Sequence, residues 1–143
     1  MVQGKTIDQI NIGDSASFQK TISETDVYLF AGITGDYNPA HLNDMEAKNT
    51  IFGERIAHGL LVAGLISAVL GVQLPGPGTI YLGQDLKFLK PVKLGDTITA
   101  IVEVIDKLDE KNILKLNTRC INQNEEEVTT GLATVMPRKR DSV

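Results

Sequence analysis

The feature that most constrains the fold of this chain is a stretch that is apolar around its whole circumference. Residues 58–70 are almost entirely apolar, and Gly71 follows them as a helix-ending residue. A helix of this kind needs apolar contacts on every side. The most apolar run, residues 60–74, is too short to span a bilayer, because a membrane-spanning helix needs about 20 such residues. The sequence therefore predicts a long helix buried inside a folded protein.

Segments with strand-like composition fill the second half of the chain. The predicted strands cover residues 79–89, 97–108, 113–122 and 127–136, and the breaks between them are short enough for antiparallel connections. Apolar residues recur along one face of two of these strands, at Ile98, Ala100, Val102 and Val104 and at Ile113, Leu116, Thr118 and Cys120. We therefore expect an α+β protein in which a curved antiparallel β-sheet wraps around the long buried central α-helix.

The N-terminal third is predicted to contain a strand, a capped helix and an irregular segment. The strand covers residues 14–22, and Ser23 followed by Asp26 has the spacing of a helix start. Glycines and a proline then interrupt residues 31–41, which predicts irregular backbone carrying polar side chains. A further helical turn or two is expected at residues 44–49.

Composition limits the kind of protein this can be. The chain has 143 residues, 42% of them apolar, and no linker or repeat divides it, so we expect a single domain over residues 1–143. Its 14 basic and 18 acidic residues give a net charge of −4, a poor match for nucleic acid or an anionic membrane surface. The one cysteine, Cys120, has no partner for a disulfide or a zinc site, and no apolar run of signal-peptide length begins the chain. Together these features favour the cytoplasm.

A motif in the irregular segment resembles that of a known family. Residues 35–41 read Gly-Asp-Tyr-Asn-Pro-Ala-His, residues 57–59 read Ala-His-Gly, and Gly95-Asp96 follows Pro91-Val92. These features resemble the R-specific enoyl-CoA hydratases, the MaoC-like family of the hot-dog superfamily, over essentially the whole chain. The resemblance implies a hot-dog fold, a homodimer or a higher oligomer, and reversible syn hydration of trans-2-enoyl-CoA to (R)-3-hydroxyacyl-CoA. CoA would take part only as part of the substrate, with no further cofactor.

Asp36 and His41 are the residues with which such a reaction could activate water. Hydration of a conjugated thioester needs a nucleophilic water for the β-carbon, a proton for the α-carbon and a group that holds the developing oxygen charge. The two residues lie five positions apart, and an irregular loop could direct both side chains at one water. An ionised Asp36 would be the natural base, and an imidazole exchanges protons near neutral pH. These arguments leave open which side chain moves which proton.

Three further residues are candidates for holding the substrate. Gly59 stands at the start of the apolar helix, where the first N–H groups have no acceptor within the helix, and the resemblance assigns it the role of oxyanion donor. By position, Ser67 matches the family's active-site serine beside the catalytic pair, although a serine in an apolar helix often bonds only to the carbonyl four residues earlier. Asn38 is expected to contact the substrate or to shape the loop.

Other interpretations of these residues are purely structural. Residues 36–39 could form only a turn, since Asp and Asn cap backbone N–H groups and Pro restricts φ. His58 could cap the helix or bond to the loop, and we leave it out of the catalytic set. No HxxxH or HExxH spacing is present and the reaction requires no metal. We therefore expect no metal site, although one could be assembled from Asp36, His41, Asp44 and His58.

Three alternative functions would use the same fold. A (3R)-hydroxyacyl-acyl-carrier-protein dehydratase performs the same chemistry, but an acidic carrier protein favours a basic partner, so the net charge of −4 favours CoA. A thioesterase would rely on a carboxylate without this Asp-Asn-Pro-His arrangement. A non-catalytic acyl-CoA-binding hot-dog module would need neither Asp36 nor His41 for water activation. Hydration is therefore the predicted function.

Overall fold

The computed structural model of the protein describes residues 2–141; residues 1, 142 and 143 of the predicted domain lie outside this range. Its helices are α1 (Glu24–Thr34), α2 (Pro39–Leu42), α3 (Asp44–Ala47) and α4 (Gly59–Val72), with 3₁₀ turns at Ile7–Gln9 and Asp109–Lys111. Its strands are β1 (Ser15–Thr21), β2 (Ile80–Gln84), β3 (Lys87–Phe88), β4 (Thr97–Leu108), β5 (Ile113–Ile121) and β6 (Glu127–Met136). These six strands form one antiparallel sheet, which confirms the predicted α+β class.

The sheet has the strand order β1-β4-β5-β6-β2, with β3 also paired to β6. The two predicted hairpins after residues 108 and 122 are present, because β5 pairs with both β4 and β6. The break at residues 90–96 is no hairpin, since β3 pairs with β6 whereas β4 pairs with β1 and β5. β3 and β4 still run in opposite directions, as an antiparallel connection requires, but β6 and β5 lie between them, and the connecting segment buries Val92 in the core.

The inner face of the sheet is built from alternating positions on β4 and β5. The predicted β4 positions are fully buried: Ile98, Ala100, Val102 and Val104. On β5 the buried set is Leu114, Leu116, Thr118 and Cys120. Ile113, which the sequence pattern placed in this set, points to the opposite face and is only partly buried. A strand alternates faces every residue, so Ile113 and Leu116, three positions apart, cannot share one.

The apolar helix α4 packs on this inner face and is covered on one side. Val62, Ile66 and Val69 are fully or almost fully buried, whereas Leu60 is 60% exposed. We expected the sheet to cover α4 on every side, and this prediction is wrong for a single chain. A groove between α4 and β2 leaves one side of the helix open. No helix among residues 2–141 has the length and apolarity needed to cross a membrane.

The helix also ends later than the sequence predicts. It continues through Gly71 to Val72, and the N–H of Gln73 still donates to the carbonyl of Val69 at 2.9 Å. An isolated glycine inside a helix costs only about 1 kcal/mol, which the buried face of α4 offsets. The prediction that Gly71 closes the helix is therefore wrong.

The helices before α4 leave a shorter irregular segment than the sequence predicts. The capping box of Ser23 and Asp26 starts α1 as predicted, but α1 continues through Gly32 to Thr34. Gly35, with a positive φ of 82°, ends it, and the proline at position 39 begins the short α2. Only residues 35–38 lie outside helices, so the irregular stretch predicted over residues 31–41 is too long.

The single strand predicted over residues 79–89 is interrupted between β2 and β3. The backbone of Asp85 passes so close to Gly131 of β6 that a Cβ on this glycine would lie 1.7 Å from the Asp85 carbonyl oxygen. Asp85 nevertheless remains attached to β6, because its N–H donates to the carbonyl of Leu132 at 2.9 Å. After the interruption β3 continues along β6 in the same register and places Phe88 against Gly59 at the N-terminal end of α4.

Arg55 ties the segment before α4 to the preceding helices. Its guanidinium donates to Glu24 at 2.8 Å, to Asp44 at 2.6 Å and to the hydroxyl of Tyr28 at 3.2 Å. Hydrogen bonds from Tyr28 and Arg55 lower the pKa of Glu24 below its ordinary value. This network joins α1 and α3 to the chain that leads into the first turn of α4.

We expect Arg55→Met to lower the midpoint of thermal unfolding at pH 7. Because the pKa of Glu24 is lowered on folding, its stabilising contribution is present above its ordinary pKa of 4.5 and is lost as the pH falls through the folded value. The deficit of the variant should therefore shrink at pH 3. Arg119→Met, which removes an exposed ion pair with Glu127, is the control and should change the midpoint little at either pH. A native midpoint for Arg55→Met at pH 7 would contradict the prediction.

Candidate active site

A cavity of about 420 Å³ lies at the N-terminal end of α4. Its polar lining consists of Asp36, His41, His58, Lys90 and Thr129, and its remaining walls are mostly apolar. Sites for small molecules commonly have this size and composition, with a few polar groups in an apolar cleft of about 300–1,000 Å³. Three residues predicted from the sequence to do the chemistry, Asp36, His41 and Gly59, meet in this cavity.

Asp36 is held by the short segment that links α1 to α2. Its N–H donates to the hydroxyl of Thr34 at 3.1 Å, and that hydroxyl donates to the carbonyl of Phe30 in the last turns of α1. One carboxylate oxygen accepts the N–H of Asn38 at 3.2 Å. The turn thus holds the backbone of Asp36 in place while its side chain remains exposed at the cavity wall.

His41 lies on α2, and a hydrogen bond to a backbone carbonyl holds its ring in place. It is 9% exposed, and its Nδ1–H donates to the carbonyl of Ile56 at 2.7 Å. A carbonyl oxygen can only accept, so Nδ1 carries the proton and the neutral ring keeps a lone pair on Nε2. Ile56 is itself attached to α2, since its N–H donates to the carbonyl of Ala40 at 3.2 Å.

The separation of Asp36 and His41 suits one bridging water. A carboxylate oxygen of Asp36 and a ring nitrogen of His41 lie within 4.8 Å of each other. A water that makes two hydrogen bonds of about 2.8 Å at a tetrahedral angle joins atoms about 4.6 Å apart. The pair can therefore hold a water molecule between them.

His58 lies directly behind this pair. It is 2% exposed, its Nε2–H donates to the backbone carbonyl of Asp36 at 3.0 Å, and its ring stacks on that of His41 with centroids 3.9 Å apart. Ligand atoms of Asp36, His41 and His58 lie within 4.8 Å of one another, which makes this trio the group that could approach a metal ion. Asp44, the fourth residue of the metal alternative, bonds to Arg55 instead.

Gly59 is the first residue of α4 and contributes a backbone N–H at the cavity wall. The first N–H groups of a helix have no acceptor within the helix and carry partial positive charge. The ring of Phe88 lies close to this glycine, so that a Cβ at position 59 would be 2.7 Å from Cε1 of Phe88. Space at Gly59 is therefore limited by an aromatic side chain that is itself part of the cavity wall.

Ser67 and Asn38 do not line this cavity. Ser67 lies two turns further along α4 and faces a second groove of about 380 Å³ between α4 and β2, with Leu60 at the border of both. The Asn38 side chain caps α2 by accepting the N–H of Ala40 at 3.0 Å. Contact of either residue with substrate stays a prediction, whereas the loop-shaping bond of Asn38 is observed directly.

Two contributions to the site have no signal in the sequence. The carbonyl of Ile56 selects the tautomer of His41, yet any residue at position 56 would supply the same backbone group. Phe88 meets Gly59 only in the folded chain, where β3 continues β2 along β6 and places this ring against the first residue of α4. Thr34, which bonds to the Asp36 N–H, could have been found, since a hydroxyl residue two positions before a loop aspartate favours such a turn.

Comparison with known proteins identifies the family of this chain. Residues 9–126 match the family described as MaoC like domain. The chain belongs to this family. The MaoC-like chain is similar to an (R)-specific enoyl-CoA hydratase of Rhodospirillum rubrum. The two are 54% identical over 129 residues, which cover 90% of this chain and 89% of that protein. An unliganded R-hydratase from Pseudomonas aeruginosa superposes with a TM-score of 0.91 and 45% identity, covering 97% of this chain and 89% of that one.

The MaoC-like chain also has relatives named for substrates in which acyl carrier protein, and not CoA, carries the acyl group. The mitochondrial 3-hydroxyacyl-[acyl-carrier-protein] dehydratase of Arabidopsis thaliana is 33% identical over 138 residues, covering 94% of this chain and 81% of that protein.

The structural match to the R-hydratase confirms the hot-dog fold that the sequence predicts.

Proposed function

We propose that this protein catalyses the reversible syn addition of water to a trans-2-enoyl-CoA, giving an (R)-3-hydroxyacyl-CoA. The observation that carries the proposal is the placement of Asp36 and His41, with a carboxylate oxygen and a ring nitrogen within 4.8 Å of each other, in a cavity that also holds the first backbone amide of α4. The relationship to a protein named (R)-specific enoyl-CoA hydratase supports the same reaction. The chain is accordingly a hydro-lyase.

The Asp36 carboxylate and His41 Nε2 both act as hydrogen-bond acceptors toward the water. A water that donates both of its O–H groups in this way directs a lone pair away from the pair and toward the β-carbon of the substrate. As the C–O bond forms, one water proton passes to the pair, and the pair then gives this proton to the α-carbon on the same side of the double bond. Because one pair serves both carbons, the two additions occur on one face of the double bond. Only water is added, so we propose that no metal or further cofactor takes part.

The amide of Gly59 supplies the third requirement. Addition to the β-carbon moves negative charge onto the thioester oxygen, and a helix N-terminus presents N–H groups where such charge is stabilised. Loss of one oxyanion donor typically costs about 2.7–4 kcal/mol of transition-state stabilisation. The approach of the oxygen to Gly59 requires that residue 59 has no side chain, because Phe88 already fills the adjacent space.

We propose that the substrate is a thioester of CoA and not of acyl carrier protein. The relative named for enoyl-CoA is 54% identical, whereas the relative named for the acyl carrier protein is 33% identical. The net charge of −4 also disfavours docking of an acidic carrier protein. We propose the cytoplasm as the compartment, where CoA thioesters are available and a buried free thiol such as Cys120 persists.

Asp36→Asn and His41→Ala should each lower turnover of crotonyl-CoA by at least about 10²-fold, because the first leaves an uncharged amide that cannot take a proton and the second removes the imidazole. The measurement is the loss of the conjugated enoyl absorbance, with chiral analysis of the product. Asp106→Asn makes the same chemical change on the exposed surface of β4 and should retain native turnover. Near-native turnover in either site variant would refute the assigned roles, and appearance of free thiol would indicate a thioesterase.

Gly59→Ala should lower kcat by at least about 10-fold, because the new Cβ forces the Phe88 ring toward the path of the thioester oxygen. Gly32→Ala is the matched control, since a Cβ at that helical position of α1 meets nothing within 4 Å. Circular dichroism would show whether both variants fold. Equal kcat values for the two variants would rule out the proposed role of Gly59.

We further propose that a second copy of the chain covers the groove between α4 and β2. The strand β2 lies at one edge of the sheet and leaves backbone groups free for pairing, as exposed edge strands do. Large apolar side chains are exposed along this edge and on the adjoining face of α4: Leu60, Ile80, Leu82, Phe88 and Leu89. Apolar surface that is contiguous with an open sheet edge is typical of an interface between copies.

Sedimentation equilibrium should give a mass of twice the 15.5 kDa chain, or a higher multiple. Leu82→Glu should shift the protein toward the single-chain mass, because it places a charge on the covered edge. Ile33→Glu is the control, as Ile33 is exposed on α1 outside this groove. A native protein that sediments as one chain would disprove the dimer.

A further inference from the structure

We propose that His58 is a positioning residue that holds both members of the water-binding pair, through one hydrogen bond and one ring stack. This inference rests on the proposed function, because it concerns the geometry of Asp36 and His41 in that reaction. His58 is the residue that precedes α4, yet its side chain makes no capping hydrogen bond to the helix. Its ring is turned the other way, toward the loop and toward α2.

The hydrogen bond of His58 acts on the backbone of Asp36. The acceptor at 3.0 Å is the carbonyl oxygen of Asp36, so Nε2 of His58 must carry the proton. The Asp36 carboxylate is exposed and stands on a loop of four residues, so its position depends on what holds that loop. His58 attaches the loop to the same helix end that carries Gly59. One residue therefore sets the distance between the water-binding carboxylate and the amide that receives the thioester oxygen.

The ring of His58 acts on the orientation of His41. The two imidazoles stack with centroids 3.9 Å apart and planes inclined by 31°, and Phe30 of α1 packs on His58 with centroids 4.8 Å apart. His41 is thus restrained by the Ile56 carbonyl at Nδ1 and by a ring against its face. These two restraints fix the plane of the His41 ring and leave Nε2 as the nitrogen that can accept from the water.

The second nitrogen of His58 shows that this residue is not used for stability alone. Among residues 2–141, its Nδ1 is buried and has no hydrogen-bond partner. A buried acceptor without a partner destabilises a fold, so an apolar ring of similar shape would suit the packing better. What a histidine provides here and a phenylalanine does not is the Nε2–H that holds Asp36.

Variants at position 58 separate the hydrogen bond from the packing. His58→Phe keeps a ring and removes the donor, His58→Gln places an amide N–H near the position of Nε2, and His58→Asn carries the same amide one methylene too short. We expect His58→Phe and His58→Asn to lower kcat for crotonyl-CoA by about 10- to 100-fold, since small displacements of reacting groups cost this much. KM should change by less than about 3-fold, and His58→Gln should recover at least about 5-fold of the loss in kcat.

A double variant tests whether His58 acts through Asp36. On the Asp36→Asn background, His58→Phe should change the residual kcat by less than about 2-fold, because the group that His58 positions can no longer take a proton from the water. A role confined to folding would instead lower the thermal midpoint and reduce kcat equally on both backgrounds. Thermal unfolding of each variant is therefore measured alongside turnover.

The inference is overturned if His58→Phe retains native kcat, if His58→Gln is no more active than His58→Asn, or if the loss of kcat is the same on both backgrounds. Should His58→Phe fail to fold, the comparison of the Gln and Asn variants decides the question. Failure of the proposed function gives a different result, in which Asp36→Asn itself turns over crotonyl-CoA at the native rate.

Discussion

Burial of α4 against the inner face of the sheet is the interaction on which the rest of the structure depends. Ile66 and Val69 of the helix are fully buried, as are all inward-facing positions of β4. Removal of apolar surface from water is the main driving force for folding, and here it places one long helix in a single position on the sheet. The N-terminal end of that helix is consequently held still, and the cavity forms around it.

Backbone groups carry this rigidity from the core to the site. The N–H of Ala57 donates to the carbonyl of Val92 at 2.7 Å, the N–H of Ile56 donates to Ala40, and the carbonyl of Ile56 accepts from His41. Residues 56–59 therefore connect three parts of the chain, which are α2, α4 and the segment between β3 and β4 that contains Val92. The side chains of Asp36 and His41 supply the acid–base chemistry that we propose, while the neighbouring backbone decides where these groups point.

Local signals in the sequence predicted local structure well. Ser23 and Asp26 form their capping box, and β4 and β6 have the predicted ends, because capping and alternation depend on residues close in the chain. The errors concern Gly32 and Gly71, which continue helices supported by tertiary contacts, and residues 79–89, which form two strands where Asp85 packs against Gly131. In each case packing with distant residues outweighs the local preference.

The same division applies to the site. By itself the sequence determined the α+β class and the apolar helix, which follow from periodicity, and the motif that contains Asp36 and His41, whose resemblance to the MaoC-like family implied the hot-dog fold. Only the tertiary structure decided that His58 lies behind this pair, that the Ile56 carbonyl selects the tautomer of His41 and that Phe88 closes the space at Gly59. These contacts join residues distant in the chain, or use backbone groups that every residue has, so no pattern of side chains reveals them.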